Sequence, residues 1–341
     1  EAHYNLGIQL SDQGLIEDAI TSYRNALVCN PHYAEAHNNL GNVLNAQGRK
    51  EEATAHYRQA LALKPEFAEA YNNLGTVFQC LGLVQEAIEC FQQALALKPD
   101  YIEALNNLGN AFIDGGMVEE AMTSYKRALT IKPDCADTHS NALLAMNYDS
   151  SFAPETIAAE HVAWNDRHAR SLASAIIPHM NSRDPERRLR VGYVSTDYYR
   201  HSVMYFFEPL LAAHDRVNVE VFCYSAGVQS DEVTDRLRTA ADAWRHVAGR
   251  DDDAIVRLIR EDRIDILVDL SGHTAGNRLL VFARKPAPVQ VTYLGYGTTT
   301  GLSTMDYRLT DQYLSPPDSP EWFSEELVRL PGCYVCYRPP A

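Results

Sequence analysis

Residues 68–101, AEAYNNLGTVFQCLGLVQEAIECFQQALALKPDY, decide the fold of the first half of the chain, because their landmarks return every 34 residues. Gly75 belongs to the set Gly7, Gly41, Gly75 and Gly109, and Pro99 to the set Pro31, Pro65, Pro99 and Pro133. Ala19, Ala53, Ala87 and Ala121 keep the same spacing, as do Tyr23, Tyr57, Phe91 and Tyr125, and then Ala26, Ala60, Ala94 and Ala128. Each column has a physical reading. The glycines after Leu6, Leu40, Leu74 and Leu108 leave room for the second helix of the same repeat to cross closely. The alanines let helix backbones approach, and the aromatic column is expected to fill the space between neighbouring helix pairs. Gly14, Gly48, Gly82 and Gly116 supply the left-handed residue that ends a helix. Each proline stops a second helix and suits the start of the next unit.

This period with these columns is the tetratricopeptide signature. One such helix pair cannot bury its apolar face alone, so the repeats stack into an α-solenoid with a concave inner surface. A further column, Asn5, Asn39, Asn73, Asn107 and Asn141, sits one residue before the core leucine position on the first helix of each repeat. An amide both donates and accepts, so it pairs with a peptide backbone whatever that peptide's side chains are. The expectation is a peptide-binding ladder of Asn5, Asn39, Asn73 and Asn107. The amides of Asn39, Asn73 and Asn107 should point into the groove, free of helix-packing partners. The plainer alternative is that each Asn bonds a neighbouring side chain.

The fifth unit starts at Asp134-Cys135-Ala136 and loses its pattern by Tyr148, as the last unit of a solenoid must. The expected organisation is therefore repeats over 1–148 (four and a partial fifth), a helical linker over 149–188, and an α/β Rossmann-like domain over 189–341. In the linker a helix runs from Pro154 through Ile157, Val162 and Trp164 towards Leu172. Its His161 and His168, with no third ligand, read as surface or interface histidines rather than metal ligands. From Leu189 strands and helices alternate. Strands are predicted over 189–195, 219–225, 264–270, 289–294 and 307–310, and helices over 203–214, 231–243 and 252–261. Short apolar strands separated by helices make a parallel sheet covered on both faces, which binds ligands at the carboxyl ends of its strands.

Three post-strand loops then matter: Ser195-Thr-Asp-Tyr-Tyr-Arg-His201, Ser271-Gly-His273-Thr-Ala-Gly276 and Gly295-Tyr-Gly-Thr-Thr-Thr-Gly301. None is a dinucleotide or P-loop fingerprint, which argues against a hydride-transfer enzyme or an NTPase. Two histidines and a run of hydroxyls converge instead on one rim, where an imidazole can take a proton near neutral pH. Asp251-Asp252-Asp253 precedes a helix, so capping explains it better than a metal. Cys333-Tyr-Val-Cys336 has redox-motif spacing but follows a strand near the chain end and lacks a second pair for zinc. The seven cysteines are read as buried or partly buried thiols of a reducing, intracellular compartment. A net charge of −15 argues against a nucleic-acid partner, and no stretch has the roughly 20 apolar residues of a membrane span.

LRVGYVSTDYYRHSV, DILVDLSGHTAGN and KPAPVQVTYLGYGTTTGLSTMDYRLTD resemble, in that order, motifs of the protein O-linked N-acetylglucosamine transferases and the related SPINDLY-type protein O-fucosyltransferases (glycosyltransferase family 41 type). The resemblance implies inverting, metal-independent, two-domain GT-B enzymes that attach one sugar to Ser or Thr of intracellular proteins, with the repeats selecting the acceptor. The chain would then be repeats plus the N-terminal half of a GT-B fold, cytoplasmic or nucleocytoplasmic. By this resemblance His201 and His273 are the catalytic histidines, with His201 as proton acceptor, and Tyr296, Thr299 and Thr300 shape the acceptor and sugar pocket. Both imidazoles should lie at the carboxyl edge, partly open to solvent. The donor would be UDP-GlcNAc or GDP-fucose, bound mainly by a second domain expected after the linker that opens at Arg338, so the chain alone should be inactive. Protein acceptors would occupy the repeat groove. The alternatives are O-fucose transfer and a non-catalytic tetratricopeptide scaffold. One departure is Gly297 where the family has proline, which gives the Thr298–Thr300 loop more backbone freedom.

Overall fold

The computed structural model describes residues 1–318 and 322–338. Pro339–Ala341, part of the expected linker start, lie outside the described residues. The chain divides into two compact units, Glu1–Thr138 and a second beginning at His139.

The first unit is a stack of antiparallel helix pairs: α1 (Ala2–Asp12) with α2 (Ile16–Cys29), α3 (Ala34–Ala46) with α4 (Lys50–Leu63), α5 (Ala68–Cys80) with α6 (Val84–Leu97), and α7 (Ile102–Asp114) with α8 (Val118–Ile131). The four turn glycines have φ between +73° and +77°, a conformation glycine adopts without a Cβ penalty. A Cβ placed on Gly7, Gly41, Gly75 or Gly109 would come within 2.4–2.7 Å of the ring of Tyr23, Tyr57, Phe91 or Tyr125. Each aromatic side chain therefore seats on the glycine of its own repeat, rather than between neighbouring pairs as expected. Two of the hydroxyls also donate to the residue after that glycine, Tyr57 to Asn42 at 2.8 Å and Tyr125 to Asn110 at 2.7 Å.

The asparagine column departs from its expectation. Asn39, Asn73 and Asn107 are half-buried and bonded to the preceding repeat, while Asn5 is exposed. The Asn39 amide donates to the Tyr4 hydroxyl (3.1 Å), Asn73 to Asn38 (3.0 Å) and Asn42 (2.9 Å), and Asn107 to Asn72 (3.0 Å). A half-buried amide needs a partner, and the adjacent helix supplies one.

The break between the units falls inside helix α9 (Ala136–Met146), earlier than the expected boundary at 148. Helix α10 (Pro154–Trp164) follows, continued by a π turn (Asn165–Ala169) and a 3₁₀ turn (Arg170–Ala175). The sheet comprises β1 (Leu189–Ser195), β2 (Val219–Ser225), β3 (Ala243–His246), β4 (Ile266–Asp269), β5 (Val289–Thr292), β6 (Tyr307–Asp311) and β7 (Glu326–Leu330). Its order is β3-β2-β1-β4-β5-β6-β7 and every neighbouring pair is parallel. Between its strands lie α11 (Met204–Ala213), α12 (Glu232–Ala240), α13 (Asp252–Glu261) and the short α14 (Leu279–Ala283). Val191, Phe207, Leu211, Val221, Cys223, Val268 and Leu270 form its buried core. Asp251 caps α13, accepting from the Ala254 N–H at 2.7 Å. The sequence predicts a helix over 231–243 and no strand at β3. The helix stops at Ala240, and the Asp242 carboxylate instead accepts from the Val221 N–H (2.8 Å) and holds Arg216 (2.5 Å) and Arg188 (3.1 Å). These bonds draw the chain onto β2, overriding helix propensity.

Two outcomes are expected in the repeats. Gly75→Ala forces a methyl into the Phe91 ring and should lower stability by about 1–3 kcal/mol, read by urea unfolding followed by far-ultraviolet circular dichroism. The same change should cost less in a Phe91→Leu background, where the ring is gone. Asn73→Ala should cost about 0.5–1.5 kcal/mol, the net worth of an inter-repeat hydrogen bond; an unchanged unfolding midpoint would contradict that role.

Candidate active site

The strand order reverses between β1 and β4, which makes the loops following these two strands the edge where a doubly wound sheet receives a ligand. The loop after β1 is pinned from beneath. Tyr198 is buried, and its hydroxyl donates to the Tyr193 carbonyl at 3.0 Å. Its own carbonyl accepts from Thr234 Oγ1 at 2.5 Å, and the Arg200 N–H donates to Asp231 at 2.7 Å. This pinning lifts His201 just ahead of α11, half-buried, with its ring 5.7 Å from that of Tyr199. His201 lines a cavity of about 710 Å³ together with Met204, Tyr205, Arg236 and Arg338. Arg236 is paired with Glu208 at 2.7 Å, and Arg200 with Glu232. Burial pushes the Asp197 carboxyl up, against the pull of the nearby His201. An imidazole at a cavity wall beside a carboxyl is suited to accept a proton from a hydroxyl.

His273 is placed otherwise than expected. It is fully buried, not at an open rim. Its Nε2 lies 2.8 Å from the Thr300 carbonyl, which only accepts, so Nε2 carries the proton. Nδ1 then accepts from Ser140 Oγ at 3.0 Å. Trp164 and His161 meet the ring edge-on, with centroids at 4.8 and 4.9 Å. Burial drives its pKa well down, helped by His161. His161, read as a surface or interface residue, is also buried. It donates from Nδ1 to the Ile157 carbonyl (2.6 Å) and accepts at Nε2 from the Tyr296 hydroxyl (2.9 Å), which in turn accepts from the Asn147 amide (3.0 Å). His139 bonds His168 across 3.0 Å. Burial lowers both His139 and His161 to about 4.

Tyr296, Thr299 and Thr300 are likewise buried, and the threonine hydroxyls are spent on holding the loop. Thr299 Oγ1 donates to Glu325 at 2.7 Å, the Thr300 N–H donates to the same carboxylate at 2.7 Å, and Thr300 Oγ1 bonds it too. Arg308 secures the other side, donating to the carbonyls of Thr298 (2.6 Å) and Tyr296 (2.8 Å). This clamp replaces the rigidity that a proline at 297 would give. Gly272, at φ +55°, could carry no side chain, since its Cβ would lie 2.2 Å from that of Tyr296.

Glu325, Arg308, Ser140 and Asp269 were not singled out from the sequence. Asp269 ends β4 fully buried, accepting from the N–H groups of Ser271 (3.1 Å) and Gly272 (2.9 Å) and from Thr292 Oγ1 (3.0 Å). Burial pushes its carboxyl up to about 6. An aspartate closing an apolar strand at the switch point was the signal available for it. Among the described residues no group of three His, Cys, Asp or Glu is placed to hold a metal ion.

Residues 137–337 match the profile described as glycosyl transferase family 41, and residues 9–48, 41–82 and 66–134 match profiles of tetratricopeptide repeats. Over 203 residues the chain is 46% identical to the probable UDP-N-acetylglucosamine–peptide N-acetylglucosaminyltransferase SPINDLY of Petunia hybrida, covering 58% of this chain and 22% of that protein. To the UDP-N-acetylglucosamine–peptide N-acetylglucosaminyltransferase of Caenorhabditis elegans it is 32% identical, covering 58% of this chain and 17% of that protein. Among solved structures it is similar to a mutant of the Thermobaculum terrenum O-GlcNAc transferase, with 39% identity and a TM-score of 0.85, covering 90% of this chain and 59% of that one. The chain thus spans about a fifth of the length of these curated relatives.

The buried histidines give a pH dependence with a definite sign. Unfolded, they titrate near about 6.5; folded, His139 and His161 stay neutral down to about 4. The unfolded chain therefore binds more protons in that window, and stability falls as pH drops from about 6.5 to about 4. Asp269, raised to about 6, acts in the opposite direction below pH 6 and offsets part of the loss. His161→Gln should flatten the slope by one proton's worth, measured as the denaturant midpoint by tryptophan fluorescence at successive pH values. An unchanged slope would place the titration elsewhere.

Proposed function

The chain belongs to glycosyl transferase family 41, and from that membership we propose that it is part of a protein O-glycosyltransferase that transfers one sugar from a nucleotide sugar to Ser or Thr hydroxyls. The observation that carries this reading is the cavity at the carboxyl edge with His201 in its wall, within the segment matched to the family. The acceptor hydroxyl gives its proton to the His201 imidazole as its oxygen attacks the anomeric carbon. The nucleoside diphosphate leaves from the opposite face, and the configuration inverts. Asp197, in the same loop, lies close enough to interact with the His201 ring. His273, Thr299 and Thr300 serve as positioning residues: they fix the loop after β5 against the turn after β4, and Tyr296 ties that loop to α10 through His161. The reaction is metal-independent, and the protein works in the cytoplasm or nucleocytoplasm. The repeats bind the acceptor polypeptide, as the concave surface of such a solenoid does; the amides of Asn39, Asn73 and Asn107, already bonded to the preceding repeat, hold the stack rather than the peptide.

N-acetylglucosamine is the first sugar to test, being named in the relatives' own descriptions. Fucose, implied by the resemblance of the three motifs to those of the SPINDLY-type protein O-fucosyltransferases, is the second. Transfer from UDP-GlcNAc and from GDP-fucose to acceptor peptides should be measured on the protein at its natural full length. His201→Ala should lower turnover by about 10²-fold or more without changing the unfolding midpoint. Wild-type turnover in that variant would remove His201 from the chemistry. Peptide binding without transfer from either donor would leave the scaffold reading instead.

A further inference from the structure

Cys333 and Cys336, expected among buried or partly buried thiols, are both exposed. They lie three residues apart in the segment after β7, where 331–338 form no helix, strand or hydrogen-bonded turn. The segment is anchored at two points. The Tyr334 N–H donates to Asp311 at 2.8 Å and its carbonyl accepts from the Tyr293 hydroxyl, with the two tyrosine rings edge-on. Four residues on, the Arg338 N–H donates to the Tyr205 carbonyl at 3.4 Å, and the Tyr337 ring lies 5.7 Å from that of Phe206. Tyr293 follows β5 and Asp311 ends β6, whereas Tyr205 and Phe206 open the helix after β1. The strap therefore runs along the carboxyl edge from the ends of β5 and β6 to the start of the helix after β1. Between the anchors at Tyr334 and Arg338 the chain reaches at most about 14 Å. Both sulfurs are near enough to the Tyr293 hydroxyl to oppose its ionisation.

We propose that Cys333 and Cys336 form a reversible dithiol–disulfide site whose oxidation shortens this strap and shifts Arg338 and Tyr205 in the wall of the His201 cavity. A closed pair holds its Cα atoms within about 4.4–6.8 Å, whereas three extended residues span about 10 Å. Tyr334 is held by two hydrogen bonds and Arg338 by one of 3.4 Å, so closure of the pair draws on the weaker anchor at Tyr205. The oxidant is a low-molecular-weight disulfide such as glutathione disulfide. One cysteine thiolate attacks it, forming a mixed disulfide and releasing one glutathione thiolate. The second cysteine thiolate attacks the cysteine sulfur of that mixed disulfide and releases the other glutathione. Two protein thiols are oxidised, one disulfide is reduced, and two protons pass to solvent or to the released thiolates. That the cavity is an active site rests on the proposed transferase function; the thiol chemistry does not.

The test uses the full-length protein treated with excess glutathione disulfide and then with a reductant. Peptide mapping should show the 333–336 peptide lighter by two hydrogens, with both thiols lost and then recovered. Cys333→Ser should leave Cys336 only a mixed disulfide with glutathione. The rate of His201 carbethoxylation by diethyl pyrocarbonate should change severalfold on oxidation, return on reduction, and stay constant in Cys333→Ser. Mixed disulfides on both cysteines with no internal bond would overturn the proposal, as would an internal bond that leaves the His201 rate unchanged. Neither readout requires sugar transfer, so absent transfer with a switching His201 would sink the enzymatic reading alone.

Discussion

A buried imidazole held between a serine hydroxyl and a backbone carbonyl fixes much of the second unit. His273 must be neutral with its proton on Nε2, because the Thr300 carbonyl can only accept, and Ser140 must then donate to the opposite nitrogen. One ring therefore ties α9, the turn after β4 and the loop after β5. Through Trp164 and His161 it also meets α10, and through Thr300 it reaches Glu325 just before β7. Satisfied in full, such a buried polar network specifies one arrangement; left with a missing partner, it carries the whole desolvation cost of the orphaned group.

The network sets a contrast along the sheet's carboxyl edge. Towards β5 and β6 most polar groups are buried and paired, as Thr299 and Thr300 are with Glu325 and Arg308 is with two carbonyls, while Gln290 Oε1 and Arg308 Nε make no hydrogen bond among the described residues. Ahead of α11, His201 stands in a cavity wall, half-buried, with its Nδ1 accepting a long bond from the Val203 N–H at 3.4 Å. Asp269 lies at the seam, a buried carboxyl titrating near 6. The edge is thus rigid and internally paired on one side and open to a cavity on the other.

The fold was legible because its signals are local. A period of 34 appears in single residues, and β1 and β2 end where their apolar runs end. Strand β3 was missed because Ala240, Ala241 and Ala243 favour a helix, and only the distant bonds of Asp242 to Val221, Arg216 and Arg188 turn the chain. The candidate site was half legible. His201 could be found by reading the residues after the first strand. The burial of His273 could not, since it depends on Ser140, a residue 133 positions earlier, and on a helix first read as linker. Thr299 and Thr300 looked like pocket hydroxyls because nothing local announces that Glu325 consumes them. The asparagine column was visible, but its partners lie 35 residues back, at a spacing that also crosses between helices.

That last spacing bears on how such chains grow. The donor column at 39, 73 and 107 and the acceptor column at 4, 38 and 72 share one period, so each duplicated segment of 34 residues brings its own donor and its own acceptor. Inserting or deleting a whole unit by recombination leaves every amide with a mate, while an insertion of any other length strands one. Tyr4, standing where later repeats have Asn, still offers its hydroxyl to Asn39, so the pairing rule tolerates a substituted acceptor. The length of the array can therefore drift over evolutionary time in whole steps, and the hydrogen-bond pattern itself polices the step size.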